Sequence, residues 1–556
     1  MSTHFKWYPS SEDVTVPWNA RYSFPSQANK AEKMTPRIPP KNGAVFGPGG
    51  TILLEFPAQG YVNPLNTTIE FDVALQGYGT PGNTSVRFEN NIQSIFSRVR
   101  LLYGGTPLED ILNYNQIVRC LTTWTSTSGQ VMDQTAVAEG IGGAVVGFNT
   151  PRTSVGPDTS LGVCGGLVNV RQKYIQGIGG TMAPEAGTLH FTGGANIGNV
   201  GGVDKFNSGD SGTWTCRRYQ VSLALGLFTQ DKLIPTKFMA SQLAIELTLE
   251  TPEACIYATP DVICGGAVAG SGTNPTYKVG NVNLIPEILQ FDSSYDAMFL
   301  KGLREGGVPI KFSSWHTFQS TTAGSATVSM QIQERSRSIK SLFVVQKRFS
   351  SLFNSDSGAT FFDTSSNTQS TLQNYQFRIG GRYFPAAPVQ TSLHGASHTN
   401  GGAEAYVELA KALNIVGDYR LSTGVSPICW AVPPVSMLSN AGGGAAVRLP
   451  EYDYSSAIKS VDGTTQVVTC QTVESAINSF CGSMPSCQFA MAISLETSNG
   501  VEISGLNAEE QSDISLIANW SSAQTLLGTT GAQILVFSYY DAMIILRENN
   551  ILELIQ

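Results

Sequence analysis

The sequence predicts an all-β chain folded as two tandem jelly-roll β-sandwiches with a few short loop helices. Three observations lead there. Short runs alternate apolar and polar residues along most of the chain. A motif near residue 290 returns near residue 536. The composition is 41% hydrophobic and only 14% charged, with 57 glycines and 27 prolines in 556 residues, too apolar for disorder and too charge-poor for a coiled coil. At roughly 100–200 residues per domain, the length accommodates two large β domains.

Residues 1–48 contain Pro9, Pro17, Pro25, Pro36, Pro39, Pro40 and Pro48, a density that prevents both helix and central strand. They are expected to form an extended N-terminal arm. Six basic side chains against three acidic ones, with Phe5, Trp7, Tyr8, Trp18, Tyr22 and Phe24 interleaved, point to docking on a neighbouring subunit or an inner layer; packing along its own chain is the alternative.

The first sandwich is expected over 49–300. The runs Thr51 to Phe56, Thr68 to Leu75, Arg98 to Tyr103, Gln220 to Leu225 and Leu243 to Glu250 have the period-two alternation of strands with one buried face. Thr106-Pro107-Leu108-Glu109 reads as a capping box with Pro at the first helical position, ahead of Ile111, Leu112, Val118 and Leu121 at helical spacing. Residues 125–215, with Gly-Gly at 142, 165, 179, 193 and 201, read as one long loop that projects outward. The second sandwich is expected over 301–556, with strands at Ile310 to Phe318, Thr327 to Gln333, Ser341 to Gln346, Tyr375 to Ile379, Phe489 to Leu495, Ser512 to Ile517 and Ile534 to Tyr539, and a helix over Ala403 to Leu413. Its loops at 350–373 and 439–486 are rich in Ser, Gly, Asn and Thr.

The repeat supports the tandem reading. Ile288-Leu-Gln-Phe291 precedes Tyr295-Asp-Ala-Met298, and Ile534-Leu-Val-Phe537 precedes Tyr540-Asp-Ala-Met543. A weaker echo joins Val99–Tyr103 to Ile339–Phe343.

Candidate chemistry is sparse. Gly77-Tyr-Gly79-Thr-Pro-Gly82 matches a dinucleotide fingerprint, but Pro81 and the strand-like run after it open no helix to hold a pyrophosphate. The five histidines (His4, His190, His316, His394 and His398) and the pair Cys481 and Cys487 lack zinc-ligand spacing. His394 and His398 share a polar loop, and His316 alternates with large apolar residues in a strand. No Gly-x-Ser-x-Gly or Walker motif is present. Arg335, Arg337, Lys340, Lys347 and Arg348 cluster around one strand, where pairing with neighbouring strands is the plainer role. The sequence therefore gives no catalytic, cofactor-binding or metal residues, and the protein is not expected to be an enzyme. The nine cysteines are read as reduced and the sequons at Asn66, Asn83 and Asn519 as unused. Neither an apolar run long enough to span a membrane nor a signal-peptide core is apparent, so a soluble protein made in the cytosol is expected. A net charge of −8 argues against a surface devoted to gripping phosphates.

Several segments resemble the major capsid proteins of polinton-like viruses and virophages, which are double-stranded DNA viruses of eukaryotes. These are Ser97 to Gln116, Leu225 to Phe228, Leu233 to Glu246, Tyr375 to Pro385 and Ala403 to Leu409. The resemblance implies a double jelly-roll shell protein in the virion: a homotrimer forming a pseudo-hexagonal capsomer of an icosahedral capsid, in contact with neighbouring capsomers, penton (vertex) proteins and minor capsid proteins. A membrane beneath the shell is a further hypothesis, and specific nucleic-acid binding is not expected. A glycan- or receptor-binding spike and a two-domain jelly-roll hydrolase are the alternatives.

Overall fold

The computed structural model describes residues 31–76, 84–88, 92–125, 136–139, 181–182, 191–192, 214–260, 276–305, 307–322, 326–348, 372–391, 403–416, 425, 489–496, 504–509, 513–520, 532–547 and 552–555. Its strands are β1 (Ala31–Met34), β2 (Val45–Phe46), β3 (Thr51–Glu55), β4 (Tyr61–Gln76), β5 (Thr84–Phe88), β6 (Phe96–Tyr103), β7 (Thr106–Leu112), β8 (Thr181–Met182), β9 (Phe191–Thr192), β10 (Trp214–Val221), β11 (Leu243–Leu249), β12 (Ile256–Pro260) and β13 (Thr276–Phe291) in the first half. The second half holds β14 (Val308–Thr322), β15 (Thr327–Ile332), β16 (Ile339–Arg348), β17 (Leu372–Ile379), β18 (Arg382–Gln390), β19 (Met491–Ser494), β20 (Ile514–Trp520), β21 (Ala532–Leu546) and β22 (Leu552–Ile555).

The second half stacks two antiparallel sheets, β14-β21-β16-β19 and β15-β20-β17-β18. Numbered along the chain, these strands follow the order 1-8-3-6 over 2-7-4-5 of a jelly roll. The first half repeats that order, with β1-β13-β4-β10 against β3-β11-β6-β7 and a β5–β12 pair as an extension. Alternation drives the sandwiching: β15 exposes Thr327, Ser329 and Gln331 and buries Val328, Met330 and Ile332. β17 buries Leu372, Tyr375, Phe377 and Ile379. One continuous cluster of buried apolar side chains runs through both sandwiches.

Residues 31–46, read from sequence as part of the arm, supply the first strand of the first sandwich. Ala31–Met34 pairs with Ile288–Phe291, Ile38 bridges Leu284, and Val45–Phe46 pairs with Val279–Gly280. The prolines between these short pieces are accommodated because the strand lies at the sheet edge. Lys33, Arg37 and Lys41 then meet Glu287 (2.5 Å), Glu70 (3.6 Å) and Glu55 (2.6 Å). At the other end, β22 folds back on its own chain, pairing with Met543–Leu546 of β21.

The capping-box reading of Thr106 is wrong. Gly104 and Gly105 adopt φ of 55° and 88° and turn β6 back into β7, so Pro107 sits in an edge strand and Leu108 and Ile111 point inward. The helix starts only at Tyr114 and runs to Thr125, after Asn113 at φ 52°. The expected helix at Ala403–Ala412 is present. Both helices follow the fifth strand of their sandwich. A further helix, Ser293–Glu305, which the sequence reading did not anticipate, links the sandwiches. It is held by the ring of Tyr61, which lies 5.2–5.6 Å from Phe291, Tyr295 and Phe299 and donates a hydrogen bond to Asp296 (3.0 Å).

The repeat seen in sequence is out of structural register. Tyr295–Met298 is helical whereas Tyr540–Met543 is in β21, and β6 and β16 are the fourth and third strands of their sandwiches. The true counterpart is the Gly-Gly hairpin, since Gly380 and Gly381 take φ of 56° and 81° between β17 and β18. A Cβ on Gly104 would lie 2.8 Å from Ser241 Oγ. Gly104→Ala is therefore expected to cost about 1–2 kcal/mol in denaturant unfolding; a loss within error would contradict the tight turn.

Candidate functional site

Few of the side chains that sequence reasoning weighed for chemistry are among the described residues. Gly77–Gly82, His4, His190, His394, His398, Cys481 and Cys487 lie outside the described residues, as do nearly all of 125–215 and the loops at 350–371 and 439–486. Cys120 and Cys255 are buried thiols outside any disulfide, and burial pushes the Cys120 thiol up to about 12. Among the described residues, no group of three His, Cys, Asp or Glu is placed to hold a metal ion, and no helix is long and apolar enough to cross a membrane.

His316 lies in β14 with Nδ1 3.1 Å from Glu334 Oε2, and its ring stacks on Tyr540 at 4.1 Å. Glu334 also accepts the Arg335 and Ser336 amides (2.9 and 3.0 Å) and the Ser336 hydroxyl (2.6 Å). Burial alone would raise this carboxyl, but His316 and Ser336 hold it down at about 2. Of the basic cluster, Arg337 pairs with Glu509 (2.9 Å), and Lys340 lies between Glu496 (3.2 Å) and Asp541 (3.3 Å). Asp541 is further satisfied by Ser313 and Ser338, each at 2.8 Å. Burial would depress the Lys340 ammonium, but Asp541, Tyr539 and Glu496 keep it above its ordinary value. These are saturated structural networks.

What the fold does assemble is the junction between the sandwiches. Glu109 in β7 is 1% exposed and accepts hydrogen bonds from the backbone of Gly226 (2.7 Å) and Leu227 (2.8 Å) and from Ser314 Oγ of β14 (2.7 Å). Burial pushes its carboxyl up, while the three donors pull it back. Gly226 opens the short helix Gly226–Thr229 and touches the second sandwich so closely that a Cβ would lie 2.1 Å from the Ser313 carbonyl oxygen. Thr317 Oγ donates to the Leu112 carbonyl (2.8 Å), and Trp124 stacks on Phe343 at 5.4 Å. On the first sandwich, Asp72, 1% exposed, accepts from Arg218 (2.7 Å) and Asn281 (2.7 Å).

Sequence reasoning missed Glu109, Gly226 and Ser314. The available signal was an acid between Leu108 and Ile111 in a run that also reads as a strand, and it was absorbed into the capping box.

Glu109→Ala would leave three buried donors unpaired and is expected to cost about 3 kcal/mol, against about 1 for Ser314→Ala. Gly226→Ala should cost about 2–3 kcal/mol. In calorimetry, Glu109→Ala and Gly226→Ala should split the unfolding of the two sandwiches into separate transitions; an unchanged single transition would refute the junction's role. Glu334 sits below its ordinary 4.5 when folded, so its contribution is complete above about pH 4.5 and is lost as pH falls toward 2. The stability gap between wild type and Glu334→Gln, roughly 2–3 kcal/mol at pH 6, should close over that window. A gap independent of pH would contradict the assignment.

No family model and no curated protein sequence matches the chain. Among solved structures, the chain is similar to the Faustovirus major capsid protein, with a TM-score of 0.51 and 9% identity over 96% of this chain and 93% of that one. Similarities are also found to the PBCV-1 virus capsid (TM-score 0.48, 11% identity, 96% and 99% covered) and to the mavirus major capsid protein (TM-score 0.46, 11% identity, 100% and 95% covered). The Faustovirus likeness, near full length on both chains, agrees with the strand order of both halves: this chain has the double jelly-roll fold.

Proposed function

We propose that the chain is a major capsid protein, a structural subunit of an icosahedral viral shell. The observation that carries this reading is the pair of same-topology sandwiches fused side by side through one continuous core, a rigid two-column block that fits the fold likeness to the Faustovirus protein. Three such blocks supply six columns, the number needed for a pseudo-hexagonal capsomer. The composition supports assembly as the activity: only 14% of the residues are charged, and the cores of obligate interfaces are depleted of charge. In this reading the protein resides in the virion capsid and contacts neighbouring capsomers, penton proteins and minor capsid proteins. Its net charge of −8 leaves neutralisation of the genome to other components.

The test is the solution mass of the purified protein by light scattering after size exclusion. A particle of about three times 59.4 kDa is expected. A stable monomer at micromolar concentration would overturn the capsomer reading.

A further inference from the structure

In the second sandwich, three adjacent strands each bring one ionisable group to a single buried point. Lys340 stands where the register of β16 slips against β21, between Ile339, paired with Tyr540, and Ser341, paired with Tyr539. Its Nζ lies 3.3 Å from Asp541 Oδ1 on β21 and 3.2 Å from Glu496 Oε1, two residues past β19. The Lys340 side chain is 17% exposed, Glu496 8% and Asp541 3%. In their own ion pairs Lys33, Lys41, Lys232, Lys237 and Lys411 are each at least 48% exposed, so Lys340 is held away from water to a degree those lysines are not.

The surroundings fix all three groups. The Tyr539 ring lies 5.5 Å from the Lys340 nitrogen. Asp541 accepts from Ser313 at Oδ1 and from Ser338 at Oδ2, each at 2.8 Å, and Ser338 is itself held by the Gly505 amide (2.9 Å). Glu496 Oε1 accepts from Ser504 (3.2 Å). The point therefore combines an amine, a carboxyl group in contact with it, a second carboxylate within reach of the amine's protons, and hydroxyl donors on the first carboxyl's oxygens. Those are the parts needed to make an amide, since a nucleophile, a base and a stabilised oxyanion must stand within hydrogen-bond reach of one another.

We propose that Lys340 and Asp541 join spontaneously in an isopeptide bond within the chain, with Glu496 as the proton relay. The inference goes beyond the capsid reading and does not depend on it. The Lys340 ammonium first gives one proton to Asp541 Oδ1, leaving a neutral amine and a neutral carboxyl. As Nζ attacks Cγ, Glu496 takes a second proton, the N–Cγ bond forms, and the carbonyl electron pair moves onto Oδ2, where Ser338 donates. Glu496 then returns its proton to Oδ1, the Cγ–Oδ1 bond breaks, and one water leaves. Oδ2 becomes the amide carbonyl oxygen, Glu496 ends ionised as it began, and no other reactant is consumed. Two effects favour the bond. Holding the reacting groups together supplies effective molarities of about 10⁵–10⁸ M, and a neutral amide replaces an ion pair that is costly to bury. The product ties the third strand of the second sandwich covalently to its eighth.

The experiment measures the intact mass of the purified full chain, denatured after storage at neutral pH. It should fall one water below the sequence mass. Tryptic digestion should yield a branched peptide in which Ser338–Lys347, uncut after Lys340, is joined to Ser460–Arg547. Lys340→Met should keep its full sequence mass. Glu496→Gln preserves the size and hydrogen-bonding shape of the side chain but relays no proton. It should melt cooperatively, showing that it is folded, and form the bond about a hundredfold more slowly, so that the freshly purified variant also has its full mass. A wild-type chain at its full sequence mass overturns the proposal, and so does a water loss that digestion places away from Lys340 and Asp541. A Glu496→Gln chain that cross-links at the wild-type rate overturns the relay.

Discussion

A carboxylate taken out of water between two packed sandwiches is tolerable only when its oxygens are fully engaged, and Glu109 meets that condition with three donors from two distant places in the chain. The two backbone donors lie in the short helix after β10, and the hydroxyl lies on the first strand of the other sandwich. The bonds form together or not at all, which fixes the relative position of the halves to within hydrogen-bonding tolerance. Gly226 permits this geometry, since any side chain there would collide with the Ser313 carbonyl. Trp124 against Phe343 then closes the junction with an aromatic contact worth about 0.5–1.5 kcal/mol beyond its buried area.

Charge elsewhere follows the same economy. Asp72, Glu287, Glu334 and Asp541 are buried, and each is met by several partners rather than by one. Each of these buried carboxylates ties neighbouring segments of the chain together through several bonds at once.

Much of the architecture was legible in the sequence because period-two alternation is a local signal. Val328, Met330 and Ile332 in β15 announce their face unaided. What failed was information held at a distance. Thr106–Glu109 has the local chemistry of a helix start, and only the positive φ at Gly104 and Gly105 and the partner strand β6 make it a strand. The segment 31–46 looks like an arm because its prolines forbid long pairing; it is recruited as an edge strand by β13, some 250 residues later. The repeat motif identified duplication correctly in kind but aligned the wrong residues, whereas the two Gly-Gly turns, short and easily overlooked, mark equivalent positions. The junction was the least legible part, because Glu109, Gly226 and Ser314 are unremarkable until folding brings them together.

The pairing of Ala31 with Phe291 bears on how the protein is made. On a ribosome the first sandwich cannot close until its eighth strand has emerged, so β4, flanked in the finished sheet by β13 and β10, waits with open edges while the intervening chain is synthesised. At about 5–20 residues per second, that interval spans many seconds. The second sandwich repeats the delay, since Val308 pairs with Leu546. Topologies of such high contact order fold slowly, and yield in a cell is then governed by how well nascent chains are shielded from one another rather than by the stability of the finished block.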